Sequence, residues 1–362
     1  MTWERFRPYA VPGTFVVLLF VALWWRRPST PVSSKTRLVS IAGRIFGTTY
    51  QVKVVSAKDI EKPKLQYRIR MLLHEIDMQM STYKKQSVLS RFNRWRKTEP
   101  FPVSSALTHV VREAKRIAQA TGGAFDVTIG PMVNLWGFGP KPFLRPPPAR
   151  SIADVRRRIG HEKLQIHLKD STLRKTHPSL YVDLSAIAKG YAVDRVTLLL
   201  QNRGFRRTMV EIGGELRVQG TNAQNQPWRI GIEKPVDAQQ QVRRIVALRD
   251  AAMATSGNYR NYRMLDGRRV SHIIDPRTAQ PVPAHLAAVS VIHRDCMTAD
   301  ALATALFVLG PVQGFALAKK QGWAALFQLP KAQGVAQKAT PNFQKWLDKT
   351  QTSLSTSKNN SR

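Results

Sequence analysis

Apolar residues recur at helical spacing twice in the first third of the chain. Leu65, Ile69, Leu72, Leu73, Ile76 and Met80 share one face of an amphipathic helix. Leu107, Val110, Val111, Ala114, Ile117 and Ala118 do the same between about Ser104 and Thr121, and Gly122 and Gly123 end that helix. Elsewhere the period shortens. Tyr50 to Val55, Thr208 to Ile212, Trp228 to Ile232, Ala287 to Ile292 and Ala324 to Leu329 read as strands. Tyr181 to Leu184 reads as a strand running into a helix at Ser185. A helix follows from Thr298 to Leu309, and Pro311 opens another. Helices and strands mix without a regular βαβ alternation and without repeats, so the fold class is α+β.

The N-terminus breaks this pattern. Tyr9 to Trp25 is uncharged and mostly apolar over about 17 residues, near the lower limit for a bilayer span. Arg5 and Arg7 precede it, Arg26 and Arg27 follow, and Trp24 and Trp25 suit a membrane interface. The run ends in Leu-Trp-Trp-Arg-Arg, a poor signal-peptide cleavage site, so an uncleaved anchor is expected. The boundaries that follow are 1–8 for a basic N-terminus, 9–25 for the anchor, 26–39 for a linker and 40–330 for the catalytic domain. A basic tail over 331–362, rich in Lys, Gln, Ser, Thr and Asn, is expected to be mostly disordered.

Charge narrows the partners. Lys and Arg number 57 against 23 Asp and Glu, a formal net charge of +34, which favours anionic ligands or surfaces. The basic residues are spread out, and no RNP, zinc-finger or basic-zipper pattern accompanies them, so nucleic acid is not expected as a partner. The single cysteine, Cys296, excludes an internal disulfide and a cysteine metal cluster. No Gly-x-Gly-x-x-Gly follows a strand, so a Rossmann mode of dinucleotide binding is excluded.

Polar groups crowd against glycines and element ends in a few segments. They are Met80 to Asn93 (MSTYKKQSVLSRFN), Gly122 to Gly139 (GGAFDVTIGPMVNLWGFG), Asp183 to Asp194 (DLSAIAKGYAVD), Thr255 to Tyr259 with Ser271 to Pro276 (SHIIDP), and Ala299 to Thr304 (ADALAT). Asp300 and Thr304 are four apart on one helix face, where a carboxylate and a hydroxyl can hold a hard cation, or Asp300 can cap its own helix. Lys189, near a helix start, suits a phosphate. His272 carries an imidazole able to accept a proton near neutral pH. Gly213 and Gly214 either let backbone approach a ligand or only make a tight turn.

Taken in order, these segments resemble the ApbE family of FAD:protein FMN transferases over roughly residues 40 to 328. The resemblance implies a single ApbE-like, T-fold-related domain behind the anchor. It implies FAD as substrate, with Mg²⁺ held by the Ala186 carbonyl, Asp300 and Thr304. It places Asp183 and Lys189 against FAD, and Tyr83, Ala124, Phe125 and Asp126 along the flavin site. The Ser271–Pro276 run brings Ile274 to the cofactor and His272 to the reaction centre as general base. Phe46 stands where the family commonly has Met, and either side chain can cover a flavin or adenine ring. Lys84 and Lys85 replace acidic or neutral residues, and Ala279 takes a position usually held by Gly. The implied acceptors are flavoprotein subunits of membrane redox complexes, modified on Thr or Ser. The implied location is the inner membrane, with the domain on the periplasmic side. The rival readings are an FAD pyrophosphatase giving FMN and AMP, and a non-catalytic FAD carrier.

Overall fold

The structure is a computed structural model, which describes residues 36–138, 146–233, 242–257, 262–265, 268–283, 285–331 and 334–348. The expected anchor lies outside these residues. The frame is one antiparallel eight-stranded sheet. Its strands are β1 (Arg37–Ile45), β2 (Thr48–Ser56), β3 (Thr208–Ile212), β4 (Glu215–Gln219), β5 (Ala251–Gly257), β6 (Ala288–His293), β7 (Ala324–Pro330) and β8 (Val335–Ala339), in that spatial order. Tight turns join β1 to β2 and β3 to β4, and both tips point chemistry-bearing residues at one corner. Phe46 and Gly47 make the first turn with φ of 52° and 74°, the left-handed pair of a two-residue hairpin.

Alternation along the strands gives the sheet two buried faces. Ile41, Val52, Val54, Val210, Ile212, Ala254, Val289 and Phe327 face the helices α1 (Lys62–Met80), α2 (Val88–Arg94), α3 (Ser105–Ala120), α4 (Ala188–Gln201) and α5 (Cys296–Lys320). Leu216, Val218, Met253, Ile292 and Leu326 face the other way, onto the hairpin of Trp228–Glu233 and Val242–Leu248. α5 is apolar and long enough, at a mean hydropathy of 1.8, to cross a membrane. Here it is the central core helix, buried from Ala299 to Ala303 and from Ala305 to Phe307, and packed on β5 and β6. Gly310, at φ 77°, breaks it just before Pro311, where the sequence predicts a new helix.

The sequence reading needs correction at three places. The ordered domain begins at Arg37, not at residue 40, because β1 pairs with β2 along its whole length. It also runs past 330. Residues 335–339 form β8, and α6 (Pro341–Gln344) buries Phe343 completely, so the stretch 335–348 is part of the fold rather than tail. Tyr181–Leu184 is extended but is not a strand. The buried Asn93 amide takes the place of a neighbouring strand, donating to the Val182 carbonyl and accepting from the Val182 N–H, both at 2.8 Å. The helix beyond starts at Ala188, not at Ser185.

Candidate active site

The site assembles where α4 crosses α5. Gly190 permits the crossing, because a Cβ there would collide with the Cys296 carbonyl oxygen and stand 2.8 Å from Met297 Cα. With no side chain in the way, the Gly190 N–H donates to Asp300 Oδ2 at 3.1 Å. Gly190→Ala is expected to push the helices apart and destabilise the domain by about 1–3 kcal/mol, the usual scale of overpacking, with activity falling alongside. A thermal melt read beside FAD turnover checks this, and a wild-type melting temperature would remove the close-approach argument.

Asp300 does not cap its helix. α5 starts at Cys296, and the N–H groups of Cys296 and Met297 donate to the Asp194 carboxylate of α4 at 3.0 and 2.9 Å. Asp300 therefore sits inside the helix, 3% exposed. Its Oδ1 has no hydrogen bond among the described residues, and Lys189 Nζ stands 3.9 Å away. The same ammonium is 2.7 Å from Glu215 Oε1. Glu215 opens β4 directly after the Gly213–Gly214 turn and is buried, with Oε2 lacking any partner among the described residues.

One cation between two carboxylates sets the electrostatics. Burial disfavours the Lys189 charge, but Asp300 and Glu215 outweigh it and raise the lysine above its ordinary range. Burial pushes both carboxyls up, and the one ammonium they share offsets this only in part. The dry cluster carries one uncompensated negative charge when all three groups are ionised, which invites a further cation.

The oxygen set suits such a cation. The Ala186 carbonyl accepts no hydrogen bond among the described residues, since the Gly190 N–H that would ordinarily reach it goes to Asp300. Thr304 lies one turn along α5 from Asp300, and its hydroxyl is 2.8 Å from that of Ser256 on β5. Among the described residues no three His, Cys, Asp or Glu cluster as a ligand set. Carbonyl, carboxylate and hydroxyl oxygens are the donors of Mg²⁺ or Ca²⁺, not of zinc or copper.

Two hairpin tips close this corner. Gly213 and Gly214 have φ of 62° and 104°, so the turn demands glycine. The turn also packs closely against its neighbours. A Cβ on Gly213 would lie 2.9 Å from Thr48 Cγ2 and 3.5 Å from Lys189 Cδ. Thr48 follows the Phe46–Gly47 turn, so Phe46 belongs to the same corner, its ring half-buried against the core.

The loop 121–138 ties the cation corner to His272. Its Val127 carbonyl accepts from the Asp183 N–H at 2.7 Å. Gly130 leaves room for Tyr181 and Asp183, its Cβ position being 2.9 and 3.3 Å from their side chains. At the other end Trp136 Nε1 donates to the Ala279 carbonyl at 3.0 Å, and the Phe138 ring meets His272 edge-on at 6.3 Å. Ala279 adopts φ 61°, the conformation glycine would take, so the turn beside His272 keeps its geometry at some strain.

Other residues divide between ligand-facing and structural positions. Tyr83 is 84% exposed, its ring open to solvent. Asp183 Oδ1 accepts from the N–H and hydroxyl of Ser185 at 2.9 and 2.5 Å, shaping the approach to Ala186. Asp126 is a knot. Its Oδ1 accepts from the Thr128 N–H and hydroxyl at 2.7 and 2.8 Å, and its Oδ2 from the His161 N–H at 2.8 Å. Ala124, Phe125 and Ile274 are buried, the first two in the main core and Ile274 in a smaller cluster with Met132 and Trp136. Lys84 pairs with Asp77 at 2.8 Å, away from any ligand role. Sequence reasoning missed Asn93, Glu215 and Ser256, although each sits in or beside a motif it singled out. Cavities of about 500 and 760 Å³ open elsewhere, and neither is lined by Lys189, His272, Asp300 or Thr304.

Comparisons with known proteins agree with this geometry. Residues 46–327 match the model of the ApbE family. The FAD:protein FMN transferase of Vibrio cholerae is 46% identical over 313 residues, covering 86% of this chain and 93% of that protein. Its counterpart in Escherichia coli K12 is 35% identical, covering 92% and 97%. Among solved structures, flavin transferase ApbE from Vibrio cholerae superposes with a TM-score of 0.79 at 44% identity, over 86% of this chain and all of that one. The apo flavinyl transferase ApbE of Pseudomonas stutzeri gives 0.79 at 38%, over 86% and 97%.

Proposed function

This chain belongs to the ApbE family and is an FAD:protein FMN transferase, and we propose that its reaction is Mg²⁺-dependent and releases AMP. The observation that carries this reading is a half-buried ammonium beside an open carboxylate oxygen and an unclaimed carbonyl, all at one corner. Ala186, Asp300 and Thr304 would hold the divalent cation, which would neutralise diphosphate charge and stabilise the departing AMP. Lys189 faces the same diphosphate. Tyr83 and Phe46 offer rings to the planar parts of FAD, and Asp126 and Asp183 set the loops that cradle it.

The chemistry is transfer at phosphorus. A Thr or Ser oxygen of an acceptor protein forms a bond to the FMN-side phosphorus, the anhydride P–O bond breaks, and AMP leaves. His272 takes the proton from the attacking hydroxyl. Positioning and charge stabilisation supply most of the rate. The acceptors are flavoprotein subunits of membrane redox complexes. Incubation with FAD, Mg²⁺ and an acceptor subunit, read by intact mass, tests the reading. An acceptor gaining one FMN supports it. FAD consumed at the same rate without acceptor would make the protein a pyrophosphatase, and intact bound FAD would make it a carrier.

We also propose that residues 9–25 anchor the protein in the inner membrane with the catalytic domain on the periplasmic side. The uncharged run with Trp24 and Trp25 at its end supports the anchor, and the family resemblance, not the arginines present on both flanks, supports the periplasmic side. Full-length protein should stay with membranes in high salt and leave them only in detergent. Release by salt alone would reduce the attachment to charge attraction.

A further inference from the structure

Glu215 has no part in the reaction above, yet it is the most expensive side chain at the site. Its carboxylate is 4% exposed, one oxygen meets Lys189 and the other meets no partner among the described residues. A buried ion pair is seldom more stabilising than apolar residues of the same volume. The arrangement therefore needs a reason other than stability, and the distances supply one. Lys189 Nζ lies 2.7 Å from Glu215 Oε1 but 3.9 Å from Asp300 Oδ1. An ammonium on a flexible stem, offered only Asp300, would close to about 2.8 Å, the usual length of a charge-assisted bond. It would then occupy the oxygen that a metal needs.

Glu215 is well placed to win that contest. It pairs with Ile212 across the β3–β4 hairpin and so sits at a fixed height beside the turn. The lysine stem passes beside this turn, its Cδ in ordinary contact distance, 3.5 Å, of where a Gly213 Cβ would stand. We propose that Glu215 is a positioning residue: by holding the Lys189 ammonium it keeps Asp300 Oδ1 open for the divalent cation. The inference rests on the functional reading above and names the residue that keeps its metal site available.

The test is a double-mutant cycle on FAD-free protein, read as Mn²⁺ affinity by electron paramagnetic resonance. The proteins are wild type, Glu215→Gln, Lys189→Met and the double variant. Charge alone weakens binding in the first variant and tightens it in the second, by factors that multiply in the double variant. Positioning predicts coupling instead. Removing Lys189 should tighten Mn²⁺ binding at least about tenfold more in the Glu215→Gln background than beside native Glu215. Equal gains in both backgrounds overturn the proposal. Should Glu215→Gln not melt cooperatively, Glu215→Met replaces it in the same cycle. FMN transfer by wild type, measured alongside, separates the two claims. Transfer with equal gains removes only the role of Glu215, whereas wild type that neither binds Mn²⁺ nor transfers FMN overturns the functional reading and this proposal together.

Discussion

Asp300→Ala should lower FAD cleavage by about 10³-fold or more while leaving a folded protein. Asp300 is the only carboxylate among the proposed metal ligands, and its Oδ1 is the only charged oxygen there without a hydrogen bond among the described residues. Lewis-acid stabilisation is worth several kcal/mol, and each 1.36 kcal/mol is about tenfold in rate. The structural cost is smaller. One bond from the Gly190 N–H disappears, leaving a buried donor unpaired at roughly 1–3 kcal/mol. Helix α5 keeps its N-terminal cap, because Asp194 and not Asp300 supplies it. Asp300→Asn sharpens the test. It retains an oxygen for the Gly190 N–H and loses only the charge, so activity should fall almost as far with even less effect on melting. Cleavage at the wild-type rate under limiting Mg²⁺, in either variant, would remove Asp300 from the metal site.

The contrast between Asp194 and Asp300 shows what a sequence conceals. Locally, an aspartate near the start of an apolar helix looks like a cap. The cap comes instead from another helix, about a hundred residues earlier, and nothing in the local pattern signals it. The helices with strong apolar periodicity, Lys62–Met80 and Ser105–Ala120, were legible because their buried faces obey one period from end to end. Strands Thr208–Ile212 and Trp228–Glu233 were legible for the matching reason at period two. Edge strands were not. β1 and β8 lie at the two borders of the sheet, where little of either strand is buried, so no clean alternation marks them and they read as linker and tail. Tyr181–Leu184 has the composition of a strand and the backbone of one, but its partner is a side chain, which no periodicity encodes.

The site divides in the same way. Lys189, Asp300, Thr304 and His272 were readable as chemistry through the family resemblance, because locally each also fits a cap, a surface or a turn. Asp126 was readable as a site residue too, but the structure engages one of its oxygens with Thr128 of the same loop and the other with the His161 N–H. Glu215 and Asn93 were invisible in their roles because each acts on a residue distant in sequence, Glu215 on Lys189 and Asn93 on Val182. Lys175 adds a layer beneath Asn93. Fully buried, it donates to the carbonyls of Asn93 and Trp95 at 3.2 and 2.9 Å and lies over the Phe92 ring, and burial lowers its pKa to about 8. The segment before Asp183 is thus held by a chain of contacts, Lys175 to Asn93 to Val182, that only the folded protein reveals.

His272→Ala should reduce FMN transfer by about 10²- to 10⁴-fold, the range expected for loss of a general base. Bonds that do not involve the imidazole contribute to the turn around it. Ser271 Oγ accepts from the Ile273 N–H at 3.1 Å, and the Val282 N–H reaches the Ile273 carbonyl at 2.9 Å. Truncating the ring should therefore leave the turn in place and FAD affinity almost unchanged, since Lys189 and the loop carboxylates lie on other segments. Asp275, three residues on, is a poor substitute base. Arg277 grips it through its N–H and Nε on one oxygen, both at 2.9 Å, and through Nη2 on the other at 2.7 Å. A base must be neutral to accept a proton, so the wild-type rate should decline as histidine protonates, below about pH 6. That acid limb should vanish from the residual rate of the variant. Excess Mg²⁺ should not restore activity, which separates this lesion from one at Asp300. If instead FAD affinity fell in proportion to the rate, His272 would be a ligand contact, and with Asp275 engaged by Arg277 the proton would have to leave through the acceptor protein or solvent.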